Sequence, residues 1–281
     1  MQKLKKLIIR NSLKLFILFF ISTFYIKVLN AIDLQGSFIQ GGIAYGMVEV
    51  NTKVFFDKKK VPLYKDGSFI IGFHRKHKAK SILQLVYNNG ETFEKIIKIK
   101  KRDYNIQKIN NLDKRKVIPP ESYYLRIKEE ARLVKKAKNI YNDFPFYKQG
   151  FVVPAVGVIT GVYGSQRVLN GIPKRPHYGI DIANKKGTNI LAPSDGIVVL
   201  AENDLYFSGG TLIISHGMGL TSSLLHLSEI FFKVGDKVYK GDKIGLMGST
   251  GRSTGPHVDW RMELRGVRID PDIVLSILVK N

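Results

Sequence analysis

The sequence predicts a mainly β protein with a helix near its middle. Three observations support this fold class. Apolar and polar residues alternate over many short runs, turn-forming residues separate the runs, and a stretch between two such regions has apolar residues at helical spacing. The chain has 281 residues, of which 44% are hydrophobic, so it is long enough for two domains and too apolar for wholesale disorder.

The first 31 residues have the pattern of an export signal. Five lysine and arginine residues within the first 14 positions precede an apolar run at 15–26. A membrane-spanning helix needs about 20 apolar residues, so this run is too short for a good one. Ala31 offers a cleavage point, although Leu29 is not the small residue of an ideal site. We therefore expect residues 1–31 to be a signal peptide or an N-terminal anchor, and the rest of the chain to act outside the cytoplasm.

The net charge of +22 is concentrated in one half of the chain. Residues 1–150 hold 31 Lys and Arg against 12 Asp and Glu, whereas residues 151–281 hold 14 against 11. Such a basic half suggests an anionic polymer or membrane surface nearby. Nucleic acid is the usual alternative partner, and the export signal argues against it. The chain contains no cysteine, which excludes thiol nucleophiles, cysteine-ligated zinc and disulfides.

Residues 32–115 are expected to form a small β-sandwich-like domain. The strand-like runs are 48–56, 68–73, 81–87 and 92–100. Hairpin-type turns at 65–67 and 88–90 separate runs of this kind. We find no catalytic pattern here. His74 and His77 lie in a His-Arg-Lys-His loop, and its flanking cations would repel a metal ion.

Residues 116–147 are expected to form a helical connector. Pro119 and Pro120 suit the first turn of a helix, and apolar residues then recur at roughly helical spacing as far as Tyr141. These residues are Leu125, Ile127, Ala131, Val134 and Ala137. The pattern predicts one amphipathic helix that packs on a domain or separates two of them.

In the last region, 148–281, glycine-rich turns alternate with strand-like runs. Asp181 stands between Ile180 and Ile182 in such a run. A carboxylate in this setting is unfavourable unless it is paired, hydrogen-bonded or bound to a metal. His177, four residues earlier, is the nearest candidate co-ligand. Taken alone, the motif fits a turn or salt-bridge role for Asp181 equally well.

A second motif follows a glycine-rich turn near the C-terminus. His257, Asp259, Arg261 and Glu263 alternate with apolar residues, the period of a half-buried strand. His257 and Asp259 therefore point to the same side, about 7 Å apart along the strand. Such a pair can face one metal ion or one reacting water. A solvated strand surface is the alternative for this motif by itself.

A third histidine, His226, lies in a strand-like run after the turn at 217–219. Counting by two places it on a mixed face with Ser222, Leu224 and Ser228, where an imidazole stays accessible. His216 borders the turn, and we expect it to cap that turn by hydrogen bonding. Repeated Gly-Asp pairs after this run predict tight corners of a rolled-up sheet.

Taken together, the three motifs favour a metallohydrolase. His177 with Asp181, His226, and His257 with Asp259 supply nitrogen and oxygen ligands and spare imidazoles. This combination suits Zn²⁺ with an open coordination position.

Residues 151–281 resemble the lysostaphin-type (LytM-like) zinc endopeptidases, which cut peptide cross-links in bacterial peptidoglycan. The matching motifs are Val162-Tyr163-Gly164, His177-x3-Asp181, Ala192-Pro193-x-Asp195-Gly196, His216-Gly217-x-Gly219-Leu220, His226-Leu227-Ser228 and Gly248-Ser-Thr-Gly-Arg-Ser-Thr-Gly-Pro-His257. The resemblance implies an antiparallel β core of the barrel-sandwich hybrid type, with the site in a groove and one Zn²⁺ per chain. It implies that His177 and Asp181 are zinc ligands and that His226 and His257 are non-ligand catalytic residues.

The chain departs from the family pattern at position 259. The family's usual closing motif is His-x-His, and its second histidine is the third zinc ligand; here that place is Asp259. Aspartate is a competent ligand, with a Zn–O distance of about 2.0–2.2 Å. Two carboxylates nevertheless cancel the charge of the ion and should make bound water less acidic. In an alternative arrangement, His257 is the ligand and Asp259 orients it. A further departure is Leu224, where an aromatic residue is common.

The resemblance implies a zinc-dependent endopeptidase that hydrolyses peptidoglycan cross-links during wall remodelling or division. It would act in the periplasm, free or anchored to the inner membrane. Its implied partners are the peptidoglycan peptide and cell-wall amidases or division proteins, with no nucleic acid and no membrane contact except through 1–31. The alternative is a catalytically degenerate domain that activates another wall hydrolase, as Asp259 suggests. A lipoyl- or biotinyl-carrier hairpin is disfavoured, because no lysine occupies the required turn and export does not suit that role.

Overall fold

The computed structural model describes residues 32–109 and 120–278, and they are mainly β as predicted. The predicted signal or anchor, 1–31, lies outside the described residues. In the part of the chain that is described, no helix is both long and apolar enough to cross a membrane. The strands are β1 Leu34–Gly36, β2 Ile43–Met47, β3 Lys53–Phe56, β4 Lys59–Val61, β5 Ser68–Gly72, β6 Lys80–Val86, β7 Thr92–Lys98, β8 Ile106–Ile109, β9 Val158–Gly161, β10 Gln166–Leu169, β11 Ile172–Pro173, β12 Gly179–Ala183, β13 Asn189–Leu191, β14 Gly196–Leu205, β15 Gly209–Ser215, β16 Leu220–Ile230, β17 Lys237–Val238, β18 Lys243–Met247, β19 His257–Leu264 and β20 Val267–Ile269. The α-helices are α1 Tyr124–Lys138 and α2 Pro271–Leu278.

The N-terminal strands form two small antiparallel sheets, and the predicted sandwich-like packing of this region stays a prediction. One sheet has the order β1-β2-β5 and the other the order β4-β3-β6-β7. Strand β6 alternates as a half-buried strand should, with Leu83 and Leu85 buried and Lys80 exposed. Gly67 and Gly90, in the two predicted turns, both have φ of 83°, which glycine adopts without strain.

The N-terminal and C-terminal regions share one hydrophobic core. Ile43 of β2 and Ile70 of β5 belong to the same buried cluster as Trp260 of β19. Near this core, Arg102 forms a 2.6 Å ion pair with Asp270, whose side chain is only 2% exposed. These regions therefore belong to one compact unit. The division of the chain at residues near 115 and 147 stays a prediction.

Helix α1 lies within the predicted connector and follows a 3₁₀ turn at Glu121–Tyr123. Ala137 is buried and, with Val134, packs on a small cluster that includes Leu200 of β14. Leu125, at the start of the predicted apolar stripe, is instead 67% exposed. Only the second half of the stripe reaches the sheet, so apolar spacing alone overestimated the packed length of this helix.

The C-terminal strands form a large antiparallel sheet with the order β17-β14-β15-β16-β19-β12-β9. Strand β19 lies near the middle of this sheet, between β16 and β12. Its apolar residues Val258, Trp260 and Met262 are fully buried, which confirms the predicted alternation. The opposite side chains of β19 therefore face away from the core, together with their neighbours on β12.

Candidate metal centre and active site

The register of two neighbouring strands brings the predicted metal ligands together. Asp181 of β12 lies directly opposite Asp259 of β19. Like charges placed opposite each other destabilise a sheet, so this pair calls for a cation or a proton. His177, just before β12, has Nε2 3.3 Å from Asp181 Oδ1 and Nδ1 4.0 Å from Asp259 Oδ2. One loop and two strands thus assemble one imidazole and two carboxylates.

The donor atoms of this trio fit a single divalent ion. One ligand atom from each of His177, Asp181 and Asp259 lies within 4.8 Å of the others. Within the described residues, His177 Nε2 and Asp181 Oδ1 are buried and make no hydrogen bond. Buried polar atoms nearly always have a partner. Ligands of tetrahedral zinc with bonds of about 2.0–2.1 Å lie about 3.3 Å apart, which is the separation of these two atoms.

The two carboxylates have different electrostatic environments. Burial raises the pKa of Asp181, and the charge of Asp259 raises it further against the opposing effect of His177. Burial also favours the neutral form of Asp259, but the guanidinium of Arg261 outweighs it and holds the pKa of Asp259 below its usual range. Arg261 Nε donates to Oδ1 and Oδ2 of Asp259 at 3.0 and 2.9 Å. Asp259 is therefore an ionised carboxylate with a cation already beside it.

His226 and His257 lie side by side next to this trio, with ring centroids 4.7 Å apart. Nδ1 of His226 is 2.8 Å from the Thr250 carbonyl, and Nδ1 of His257 is 2.9 Å from the Gly255 carbonyl. A carbonyl only accepts, so each Nδ1 carries the hydrogen, and Nε2 of the neutral ring is the proton acceptor. Nε2 of His257 is 3.9 Å from Asp181 Oδ1. Burial lowers the pKa of His226, which favours its neutral form.

A β-bulge brings His226 to this place. Leu224 and Leu227 of β16 pair with Leu212 and Gly210 of β15, so two residues of β16 oppose a single residue of β15. A bulge of this kind turns the next side chain to the other face. Counting by two had placed His226 on the face of Leu224 with its imidazole accessible. Both parts of that prediction are wrong, because the bulge moves the side chain off that face and leaves it only 6% exposed. His226 also has φ of 68°, a left-handed conformation that costs a non-glycine residue about 1–2 kcal/mol.

The sequence predicts that His216 caps the turn at 217–219 by hydrogen bonding. His216 is fully buried, and its ring bonds the Asp195 carbonyl at 2.7 Å and the Ser222 hydroxyl at 2.8 Å. Burial lowers its pKa to about 4, so this ring is neutral. Its backbone N–H also bonds the Leu220 carbonyl across the turn at 2.8 Å. His216 is thus a hydrogen-bonded core residue beside a turn, away from the candidate site.

The N-terminal region supports the backbone of His177. Strand β8 pairs in parallel with β10, which lies eight residues before His177 and is followed by the short strand β11. Arg75 Nε donates to the Gly164 carbonyl at 2.8 Å, and the Gly164 N–H donates to the His177 carbonyl at 2.8 Å. The Tyr104 ring lies under the Arg75 guanidinium at 4.3 Å and fills the space where a Gly164 side chain would be. This support was not predicted, because it joins residues about 90 positions apart.

Two glycines that were not singled out from the sequence make room for the carboxylates. A Cβ atom at Gly161 would lie 2.2 Å from Asp181 Oδ2, and one at Gly179 would lie 2.5 Å from Asp259 Oδ1. Gly161 lies opposite Asp181 in the β9–β12 pair. The sequence alone does not reveal this role, because it depends on the pairing of β9 with β12, which places a glycine opposite an acidic residue.

We expect Gly161→Ala to disturb the site while the fold stays intact. The atoms nearest to the added methyl all belong to the Asp181 side chain, which can swing away from the trio. Zinc affinity should fall about 10- to 100-fold, the usual effect of disturbing the support of a ligand. Gly72→Ala is the matched control, since its added methyl would meet only apolar side chains outside the site. Chelator competition and thermal unfolding measure both effects, and an equal loss of affinity in the two variants contradicts the assignment.

Sequence relatives match the region that contains this site. Residues 175–271 match the model of peptidase family M23. The peptidoglycan DD-endopeptidase ShyA of Vibrio cholerae is 43% identical over 102 residues, 36% of this chain and 24% of that protein. An uncharacterized metalloprotease of Buchnera aphidicola is 37% identical over 134 residues, 47% of this chain and 33% of that protein. The chain thus spans about a quarter to a third of the length of these relatives.

A solved structure extends the similarity beyond that region. A crystal structure from Pseudomonas aeruginosa, provisionally described as an M23 peptidase, aligns with a TM-score of 0.67 at 25% identity. The alignment covers 85% of this chain and 96% of that one, so it includes part of the N-terminal region. The predicted resemblance to the lysostaphin-type peptidases is confirmed. Within the C-terminal region, residues 175–271 are therefore similar to peptidase family M23.

Proposed function

We propose that this chain is a zinc-dependent endopeptidase that hydrolyses peptide cross-links of bacterial peptidoglycan. The observation that carries the proposal is the meeting of His177, Asp181 and Asp259 at one point, with His226 and His257 beside them. The substrate class is supported by the name of the 43% identical relative, a peptidoglycan DD-endopeptidase. The place of action would be the periplasm, free or at the inner membrane, and the signal-like pattern of the first 31 residues supports it.

In this proposal, His177, Asp181 and Asp259 hold one zinc ion per chain. When bound, zinc supplies Lewis-acid polarisation of a peptide carbonyl and makes water more acidic. The alternative with His257 as ligand and Asp259 as its orienter has less support. The Nδ1 hydrogen of His257 is directed at the Gly255 carbonyl and the Asp259 carboxylate is held by Arg261, so Asp259 does not orient the His257 ring.

His226 and His257 would act as the general base and general acid of the reaction. Each ring has its Nδ1 hydrogen fixed by a carbonyl, so Nε2 is directed for proton exchange. One ring accepts a proton from the attacking water, and a proton is then returned to the leaving amine. Nε2 of His257 lies 3.9 Å from Asp181 Oδ1, so this nitrogen faces the trio.

A non-enzymatic role is the second candidate. The bidentate contact of Arg261 with Asp259 compensates this carboxylate without any ion, as expected for a site that has lost its metal. In that case the domain would activate another wall hydrolase, such as an amidase. The presence of both imidazoles beside the trio favours the enzyme.

Digestion of purified peptidoglycan sacculi by the full chain tests the proposal. We expect cross-linked muropeptides to be converted to uncross-linked ones, an excess of chelator to stop the conversion, and added zinc to restore it. Chromatography with mass spectrometry identifies the bond that is cut. If zinc-loaded protein yields no new products, the peptidase proposal fails. An increase in the rate of a purified amidase would then support the activator role.

A further inference from the structure

Arg261 is a half-buried cation that faces the candidate metal centre. It follows Asp259 by two residues on β19, so both side chains lie on the same face of the sheet. Arg261 Nε donates to both oxygens of Asp259, and Nη2 also donates to Oδ2. The side chains are 31% and 4% exposed, respectively. Charge-assisted contacts with this two-pronged geometry are among the stronger polar contacts in proteins.

Surface ion-pair networks do not explain this contact. Glu263, the next acidic residue on the same face of β19, is paired with Lys138 at 3.0 Å and with Arg268 at 3.3 Å. Arg261 is directed at Asp259 instead. Gly179, on the neighbouring strand, leaves the space for the pair, because an added Cβ would lie 2.5 Å from Asp259 Oδ1 and 2.7 Å from Arg261 Cγ.

A metal ion would bind the Asp259 carboxylate that Arg261 already contacts. Asp259 Oδ2 accepts two of the three contacts from Arg261 and is also the oxygen 4.0 Å from His177 Nδ1. The guanidinium charge repels a nearby divalent cation, while it compensates the buried carboxylate when no ion is bound. Within the described residues, Asp181 Oδ1 has no such hydrogen-bond partner. The two carboxylates of the trio are therefore not equivalent.

We propose that Arg261 is an internal counter-cation that competes with zinc for Asp259 and thereby weakens metal binding. The inference rests on the proposed metal-dependent function. Arg261 acts through Asp259 and is a positioning residue. It stabilises the metal-free site, in which Asp181 and Asp259 face each other, and it makes occupancy depend on the supply of zinc.

The test is Arg261→Gln in the full chain, which removes the charge and keeps an amide donor. We expect zinc to bind at least tenfold more tightly in chelator competition, because competition and repulsion are both removed. The melting temperature of the metal-free protein should fall, and zinc should raise it by more than in the unmodified chain. Arg268→Gln is the matched control, because it removes a cation of similar exposure that pairs with Glu263. Its zinc affinity should stay within about twofold of the unmodified chain.

Unchanged or weaker zinc binding by Arg261→Gln overturns the proposal. If the unmodified chain binds no zinc and Arg261→Gln binds one ion, the competition is supported while the peptidase proposal fails. If neither binds zinc, both fail. Arg261→Lys keeps a charge without the two-pronged contact, and its zinc affinity should lie between those of the unmodified chain and the glutamine variant. If Arg261→Gln does not fold, Arg261→Lys tests the competition between Arg261 and zinc. A lysine variant that binds zinc more weakly than the unmodified chain refutes that competition.

Discussion

Asp181→Asn should abolish peptidoglycan cleavage and nearly all zinc binding while the chain stays folded. A neutral amide replaces a carboxylate whose oxygen is buried 3.3 Å from His177 Nε2. Loss of ligand support commonly lowers metal affinity about 10- to 100-fold, so loss of a ligand itself should cost at least about 100-fold. Under the proposed function the rate should fall about 10³-fold or more, because a catalytic metal ion stabilises a transition state by several kcal/mol and each 1.4 kcal/mol is about tenfold.

Thermal unfolding of the metal-free protein separates this effect from misfolding. Asp181 faces Asp259 across the strand pair, and its burial raises its pKa, so its ionised form opposes folding. The asparagine variant should therefore be at least as stable as the unmodified chain without metal. Asp204→Asn, at a site where the carboxylate is 82% exposed, is the control and should keep activity and zinc binding. Activity in Asp181→Asn above about a tenth of the unmodified rate contradicts the assigned ligand.

Deletion of residues 32–119 should prevent the rest of the chain from folding. The deletion removes Ile43 and Ile70 from the cluster that contains Trp260. It also removes Arg102 and leaves Asp270 buried without its partner. Breaking a buried ion pair costs about 3–5 kcal/mol, and the whole stability of a domain is only about 5–15 kcal/mol. We expect the remaining piece to be insoluble, or to lack a cooperative melting transition in circular dichroism.

Arg102→Met provides the graded version of this experiment. It breaks the same ion pair in the full chain, and it should lower stability by about 3–5 kcal/mol without preventing folding. A piece starting at residue 120 that melts cooperatively near the temperature of the full chain would show that the C-terminal region folds alone. In that case the packing of Ile43 and Ile70 would have little weight in the stability of the chain.

The sequence was most informative where local periodicity decides the structure. The alternation from His257 to Leu264 identified β19 and its two faces, and the same rule placed Asp181 on β12. The trio of His177, Asp181 and Asp259 was predicted as a set from the family resemblance, and these side chains do lie together. Whether they bind zinc stays a prediction.

The remaining features depend on contacts between distant parts of the chain. The bulge at His226 arises from the pairing of β16 with β15, which a count along one strand cannot reveal. Gly161 owes its role to the strand that lies opposite it. The same-face relation of Asp259 and Arg261 was visible in the alternation, but the direction in which the guanidinium turns depends on neighbours such as Gly179.

The left-handed backbone of His226 costs stability, whereas the proposed reaction needs the imidazole at this position. Glycine would adopt φ of 68° without the penalty of about 1–2 kcal/mol that a histidine incurs. The backbone of this bulge is therefore less strained with glycine than with histidine. A lineage in which this domain served only as an activator would be free to drift toward glycine at position 226, whereas a lineage that still cleaves peptides would have to tolerate the strain. We therefore expect the residue at this position to differ between relatives that cleave peptides and relatives that only activate other hydrolases.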